Sequence, residues 1–310
     1  MIYTQADLSK LILDTKAVSI WDHAKGPVFW YAANVPGPFY VNTEMVIGAS
    51  LAEKLLREIT AVASGTVDAP ARAAQLKHLI LDAYRSNTSW QRLIETMIDR
   101  ARTEFASSSF AMISGGERRD WLFSIPFAHE CNLPHLYLFK NKTSFCEFEN
   151  KEWMTRSGQN VLHVSDLINN AASFFDSWQP ILQNLSMSCA GNICINLRGE
   201  NGLRRLTEAG QKTVALMTID LDFFRRLHAA DLLSREVFEV IAIFLSSSQD
   251  WASRYLLDRP ELFNVHGCDT KSFERLKFFI ANDPWKMRGT HESFFATMQK
   301  AIAERSAKAA

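Results

Sequence analysis

Between residues 109 and 218, short apolar segments alternate with helical segments, and this alternation restricts the fold more than any other feature of the chain. The apolar segments are predicted strands, at residues 109–113, 135–139, 161–164, 193–197 and 214–218. Helix-like segments or turns separate them. Strands that alternate with helices in this way predict an α/β fold with a doubly wound, mostly parallel sheet.

A doubly wound sheet also predicts where a ligand binds. In such sheets ligands lie outside the carboxyl ends of the strands, near the point where the strand order reverses. The loops of interest therefore follow Ile113, Phe139, Val164 and Leu197.

The composition excludes several classes of partner. The chain has 34 basic and 34 acidic residues, so no net charge favours nucleic acid or an anionic membrane. Its five cysteines are an odd number without a C-x-x-C pair, which indicates reduced thiols in a cytoplasmic protein. No signal-peptide pattern and no apolar run of membrane-spanning length is present. We therefore expect no nucleic acid, no membrane and a cytoplasmic location.

The loop after the third predicted strand is the most informative. In residues 161–174 (VLHVSDLINNAASF) a buried strand ends at Asp166, small and amide residues follow, and a helix begins. Backbone N–H groups and the positive end of a helix bind phosphate, and the hydroxyl of Ser173 adds a donor. The alternative stays open, because Asp, Asn and Ser also cap helices and form turns.

This loop resembles the phosphoribosyl pyrophosphate (PRPP) motif of type I phosphoribosyltransferases. In that family two adjacent acids hold the ribose hydroxyls, and a Thr-Thr-Gly-Gly-Ser-like loop holds the 5′-phosphate. Asp166 matches the second acid and Ser173 the loop serine, whereas Ser165 replaces the first acid. The residues in the Thr-Thr-Gly-Gly positions are Asn169, Asn170, Ala171 and Ala172.

The two alanines change the backbone freedom of this loop. Alanine reaches positive φ less easily than glycine and leaves less room beside a phosphate. Asparagine tolerates the left-handed conformation. We therefore expect Asn169 or Asn170 to adopt that conformation in place of the missing glycines.

Further matches follow in the family's order. The strand that contains Phe39 and Tyr40 resembles the opening of orotate phosphoribosyltransferases, where these positions contact substrate; a plain aromatic strand is the alternative. The predicted Gly-Gly turn after the first core strand matches the loop that approaches pyrophosphate through backbone amides. That turn consists of Ser114, Gly115 and Gly116.

Two basic residues complete the resemblance. Lys140 matches the lysine of an Arg-Lys pair that holds pyrophosphate, while Phe139 stands in place of the arginine. Arg198 matches the arginine that binds the orotate base, as a planar guanidinium suits a carboxylate-bearing ring. An exposed surface role is the alternative for both. Residues 143–158 correspond to the family's mobile catalytic loop but contain no His-Gly.

The resemblance implies a domain organisation. It makes residues 1–62 an N-terminal hood segment and 90–225 the phosphoribosyltransferase-like core. The small and polar residues after position 62 indicate a connector at 63–89, and apolar helical patterns outside the resemblance predict a helical C-terminal extension at 226–310.

The resemblance also implies an activity. This is orotate-type transfer of 5-phosphoribosyl from PRPP to a nitrogenous base, with Asp166 and Lys140 in catalytic roles. Mg²⁺ is expected only when PRPP is bound, no metal site of the chain's own is predicted, and a homodimer is expected. The alternative is a catalytically inactive protein of this fold that acts as a nucleotide or phosphate-ligand sensor or as a protein-interaction module.

Overall fold

The structure is a computed structural model that describes residues 2–24, 26–106, 108–146 and 159–309. It divides the chain into two compact units. The first consists of Met1–Ala17 with Thr43–Ile219, and the second of Val18–Asn42 with Asp220–Ala310.

The strands of the described residues are short at the N-terminus and longer in the core. In chain order they are β1 (Val18–Ile20), β2 (Phe29–Trp30), β3 (Pro36–Gly37), β4 (Phe39–Val41), β5 (Met112–Gly116), β6 (His135–Leu138), β7 (Ser144–Cys146), β8 (Asn160–Ile168), β9 (Ser188–Arg198) and β10 (Thr213–Ile219).

Helices make up most of the remaining described chain. They are α1 (Gln5–Asp14), α2 (Ala49–Ala63), α3 (Ala69–Arg85), α4 (Thr88–Glu104), α5 (Trp121–Glu130), α6 (Gln179–Asn184), α7 (Asn201–Glu208), α8 (Leu221–Ala229), α9 (Arg235–Ser246), α10 (Ser248–Tyr255), α11 (Thr270–Asn282) and α12 (Glu292–Ala309). Two 3₁₀ segments, Thr43–Ile47 and Pro260–Phe263, and a π-helical segment, Phe174–Trp178, are also present. No helix in the described ranges is long and apolar enough to cross a membrane.

The first unit contains a six-stranded sheet in the order β10-β9-β8-β5-β6-β7. Every neighbouring pair is parallel except β6 and β7, which are antiparallel. The chain therefore starts in the middle of the sheet at β5, adds β6 on one side, and returns to add β8, β9 and β10 on the other. This confirms the predicted doubly wound α/β fold and places the reversal of strand order between β5 and β8.

The predicted connector is wrong, because residues 63–89 contain the whole of α3. The side chain of Asp68 caps this helix by accepting a hydrogen bond from the N–H of Ala71. Leu76 and Ile80 are completely buried. The small residues that indicated a connector are mainly alanines, which favour helices as strongly as any residue type.

The second unit differs from the predicted division of the chain. The aromatic strands β1 to β4 were expected to belong with the N-terminal hood, yet they share a core with the C-terminal helices. The ring of Trp21 lies 5.6 Å from that of Trp251, and the ring of Trp30 lies 6.0 Å from that of Phe279. Two-stranded ribbons cannot bury such side chains alone, so the C-terminal helices supply the missing surface.

Candidate functional site

A single carboxyl group, that of Asp120, lies where the two central strands of the sheet separate. The registered pairing of β5 with β8 ends at Ser114 and His163. Beyond it, Asp120 Oδ2 accepts a hydrogen bond from the N–H of Gly116 (3.1 Å), and its Oδ1 accepts one from the N–H of Asp166 (3.1 Å). One side chain therefore satisfies the backbone of both strands at the reversal of strand order.

Asp120 and Asp166 form a buried carboxyl pair. Burial, reinforced by the neighbouring Asp166, raises the pKa of Asp120 well above its ordinary value. Burial also raises the pKa of Asp166, while the charge of Arg119 and a hydrogen bond from Asp120 act in the opposite direction. The carboxyl of Asp166, which the sequence assigned to ribose hydroxyls, already has a partner in the protein.

A second buried acid, Glu44, lies beside this pair. It belongs to the 3₁₀ segment Thr43–Ile47 and is 3% exposed. Its Oε1 forms an ion pair with Arg119 Nε at 3.1 Å. Burial raises the pKa of Glu44 and the charge of Arg119 lowers it. The sequence analysis missed Glu44, although an acid directly before the apolar run Met45–Ile47 was a signal that could have revealed it.

Ser114 belongs to a buried polar chain rather than to a ligand-binding turn. Its hydroxyl lies 3.0 Å from His163 Nδ1, and His163 Nε2 lies 4.0 Å from Asp120 Oδ2. Burial lowers the pKa of His163 to about 4, so the imidazole is neutral. Ser114 is 0% and His163 3% exposed, and this series of polar contacts joins β5, β8 and the start of α5 within the protein.

The predicted turn at Gly115 and Gly116 is wrong, since both residues lie within β5. A Cβ atom at Gly115 would lie 2.0 Å from Ser124 Oγ, and one at Gly116 would lie 2.3 Å from the ring of Trp178. Real side chains do not approach so closely. Both glycines are therefore required by close packing, and the ring of Trp178 covers Gly116.

The loop of residues 169–173 uses its own polar groups internally. The carbonyl oxygen of Asn169 accepts a hydrogen bond from Gly202 N–H at 2.9 Å. The side chain of Asn170 accepts one from the N–H of Ala172 at 3.1 Å. The Ala172 amide that could cradle a phosphate is thus occupied, whereas Ser173 is exposed at the start of the following helix.

The left-handed residue of this loop is Ala171, with φ +56°. The expectation that Asn169 or Asn170 would adopt this conformation was wrong. The side chain of Asn170 instead completes a turn with Ala172, and this turn leaves the positive φ to the residue between them. The loop therefore keeps a glycine-like backbone shape without a glycine.

The two predicted basic residues lie at the carboxyl edge of the sheet. Lys140 follows β6 and is exposed, and its backbone N–H donates to Glu117 Oε2 at 2.9 Å. Arg198 is the last residue of β9 and pairs in register with Ile219 of β10. Parallel strands bring their carboxyl ends to one edge, so the structure places Lys140 and Arg198 at the same edge as Asp166.

Phe39 and Tyr40 lie in the other unit of the chain. Phe39 is 2% exposed, and its ring lies 4.9 Å from that of Phe224, so it is a core residue. Tyr40 is half-buried with its ring 6.0 Å from that of Phe29. Within the predicted mobile loop, residues 147–158 lie outside the described residues.

Comparisons with known proteins support the fold. No family model and no curated protein matches the chain. Among solved structures it is similar to UMP synthase from Leishmania donovani, with 11% identity and a TM-score of 0.53 over 79% of this chain and 42% of that one. It is also similar to orotate phosphoribosyltransferase from Aeropyrum pernix, with 13% identity and a TM-score of 0.43 over 72% of this chain and 98% of that one.

The similarity to UMP synthase shows the fold alone. This chain spans less than half the length of the UMP synthase that it matches. Together with the strand order, the match shows that the chain has a type I phosphoribosyltransferase-like fold, as its sequence predicted.

Replacing Ala171 with glycine is expected to stabilise the protein. Alanine in the left-handed conformation costs about 1 kcal/mol, and glycine removes this strain. Urea unfolding of Ala171→Gly should give a free energy of unfolding higher by about 0.5 to 1 kcal/mol. The matched control is Ala172→Gly, where the residue lies in a helix and glycine should be neutral or destabilising. Equal effects at the two positions would contradict this account of the loop.

Replacing Asp166 with asparagine is expected to change how stability depends on pH. Raised carboxyl pKa values stabilise the fold fully below about pH 4, and this contribution is lost as pH rises through the folded pKa values. Asp166→Asn removes one such group and its repulsion of Asp120. The free energy of unfolding of the variant minus that of the wild type should therefore increase from pH 4 to pH 8, by about 1 kcal/mol or more.

Urea denaturation at several pH values measures this difference. Asp176→Asn is the control, because Asp176 is exposed on the following helix and its removal should leave the pH dependence unchanged. A constant difference between Asp166→Asn and wild type across this pH range would show that the two carboxyls are not coupled.

Proposed function

We propose that this chain is a non-catalytic protein with a phosphoribosyltransferase-like fold that binds a phosphorylated ribosyl ligand, such as a nucleotide or PRPP, as a sensor. The observation that carries this proposal is the contact between Asp120 and Asp166. Phosphoribosyl transfer by the family's route needs a carboxylate at Asp166 that is available to the ribose hydroxyls. Here that carboxyl has a hydrogen-bond partner within the protein, the side chain of Asp120.

The charges at the carboxyl edge of the sheet support binding of an anion. Arg118, Lys140 and Arg198 follow or end three of its parallel strands. Arg118 is held by a 2.6 Å hydrogen bond to Thr60 Oγ1 of α2. Phosphate and diphosphate groups bind to such clusters through charge-assisted hydrogen bonds.

Orotate-type phosphoribosyl transfer is the second candidate. It is favoured by the backbone at Ala171, which keeps the left-handed turn that a glycine-containing phosphate loop would use. In this reaction a base nitrogen bonds to C1 of the ribosyl group and pyrophosphate leaves with the bonding electron pair. Lys140 would hold the pyrophosphate and Arg198 the base.

The remaining expectations are part of the same proposal. The described ranges contain no group of three or more His, Cys, Asp or Glu residues that could hold a metal ion. Magnesium would enter only as part of a PRPP complex. A homodimer and a cytoplasmic location are also proposed. Light scattering measures the molar mass in solution, and a homodimer should give twice the chain mass of 35.2 kDa.

Calorimetric titration with PRPP and Mg²⁺, combined with a turnover assay, separates the two functions. We expect binding in the micromolar range, about −8 kcal/mol, with no release of pyrophosphate when orotate or adenine is added. Lys140→Ala and Arg198→Ala should each weaken binding about tenfold, because each removes a charge-assisted contact. Lys54→Ala, at an exposed position of α2, should leave the affinity unchanged.

Each alternative result has a distinct meaning. Pyrophosphate release that depends on the base would overturn the non-catalytic proposal in favour of transfer. Failure to bind PRPP, nucleoside monophosphates and inorganic phosphate at millimolar concentration would overturn both functions.

A further inference from the structure

Several buried polar atoms near the Asp120–Asp166 pair have no hydrogen-bond partner among the described residues. Three of them belong to residues at the carboxyl ends of β8 and β9 or to the adjoining 3₁₀ segment. They are Glu44 Oε2, Ser165 Oγ and Asn196 Oδ1, in residues that are 3%, 6% and 0% exposed. A buried polar atom without a partner loses its hydration and gains nothing in return, so each one requires an explanation.

The acceptors at Glu44 and Asn196 are held in place by a common structure. Asn196 Nδ2 donates to Thr43 Oγ1 at 2.9 Å, and this contact leaves Asn196 Oδ1 as an acceptor. Glu44 is the next residue after Thr43, and its Oε1 forms the ion pair with Arg119. Consecutive residues of one 3₁₀ segment therefore fix two oxygens that can accept hydrogen bonds.

A comparison of Glu44 with Asp166 indicates which of the two carboxyl groups can accept a hydrogen bond from a ligand. Asp166 is hydrogen-bonded to Asp120, whereas one oxygen of Glu44 has no partner in the described part of the chain. We propose that Glu44, together with Asn196, accepts hydrogen bonds from the hydroxyl groups of the ribosyl moiety of the bound ligand. This inference rests on the proposed function and names the residues that would recognise the sugar.

The surrounding charges favour a neutral hydroxyl over an amine as the donor. Arg119 already balances the charge of Glu44, and Arg118, Lys140 and Arg198 make the same edge of the sheet basic. A cationic group would be repelled by these side chains, while a phosphate would be attracted to them. A ligand with a neutral hydroxyl donor and an attached phosphate suits both the acceptor oxygen of Glu44 and the basic side chains around it. A sugar phosphate is such a molecule.

Calorimetric titration with ribose 5-phosphate and with 2-deoxyribose 5-phosphate tests this proposal, because these probes differ by one hydroxyl group. The wild-type protein should bind ribose 5-phosphate about tenfold more tightly, since the missing hydroxyl leaves a buried acceptor without a partner. Glu44→Gln should reduce this preference to less than threefold, mainly by weakening the binding of ribose 5-phosphate.

Two further variants serve as a second test of Glu44 and as a control. Glu44→Asp keeps the charge but shortens the side chain, and it should also lose the preference. Glu200→Gln removes an exposed acid that follows β9 at the same edge and should keep the wild-type preference. Thermal unfolding of each variant, followed by circular dichroism, checks that it is folded.

The outcomes separate this inference from the function on which it depends. If the wild type prefers ribose 5-phosphate and Glu44→Gln and Glu44→Asp keep the full preference, the role of Glu44 is wrong and ligand binding stands. If the wild type binds both sugars equally, the recognition of hydroxyl groups is wrong. If neither sugar phosphate nor PRPP binds at millimolar concentration, the proposed function and this inference both fail.

Discussion

The carboxyl group of Asp120 is the constraint on which the candidate site depends. It accepts hydrogen bonds from the backbone of β5 and of β8 at the point where the strand order of the sheet reverses. In a doubly wound sheet this is the place where a ligand ordinarily enters. Burial raises the pKa of Asp120, and the same carboxyl group contacts Asp166, the acid that the sequence assigned to the ribose.

The neighbouring features are consistent with a modified site. Trp178 packs on Gly116, the side chain of Asn170 satisfies the N–H of Ala172, and Ser114 is hydrogen-bonded to a buried neutral histidine. Each contact replaces an interaction with a ligand by one within the protein. The proposals of anion and sugar binding rest on the basic residues at this edge and on the oxygen of Glu44 that has no partner among the described residues.

Much of the core could be predicted from the sequence because its signals are local. Apolar strands separated by helices specify a doubly wound sheet, and the positions of Lys140, Asp166 and Arg198 at strand ends place them at one edge. Local signals failed at α3, where small residues, mainly alanines, suggested a connector but form a helix. They also failed at Gly115 and Gly116, which suggested a turn but lie in a strand where neighbouring side chains leave no room for a Cβ atom.

The sequence by itself determined the fold class and the edge of the sheet where chemistry would take place, since both follow from the order of strands and helices. Only the tertiary structure decided which polar groups remain available to a ligand. Asp120 stands at the start of α5, where an aspartate ordinarily caps its own helix, yet its side chain bonds to two strands. Glu44 is more than seventy residues away in sequence from its partner Arg119. Such contacts depend on distances across the folded chain, which local sequence patterns do not specify.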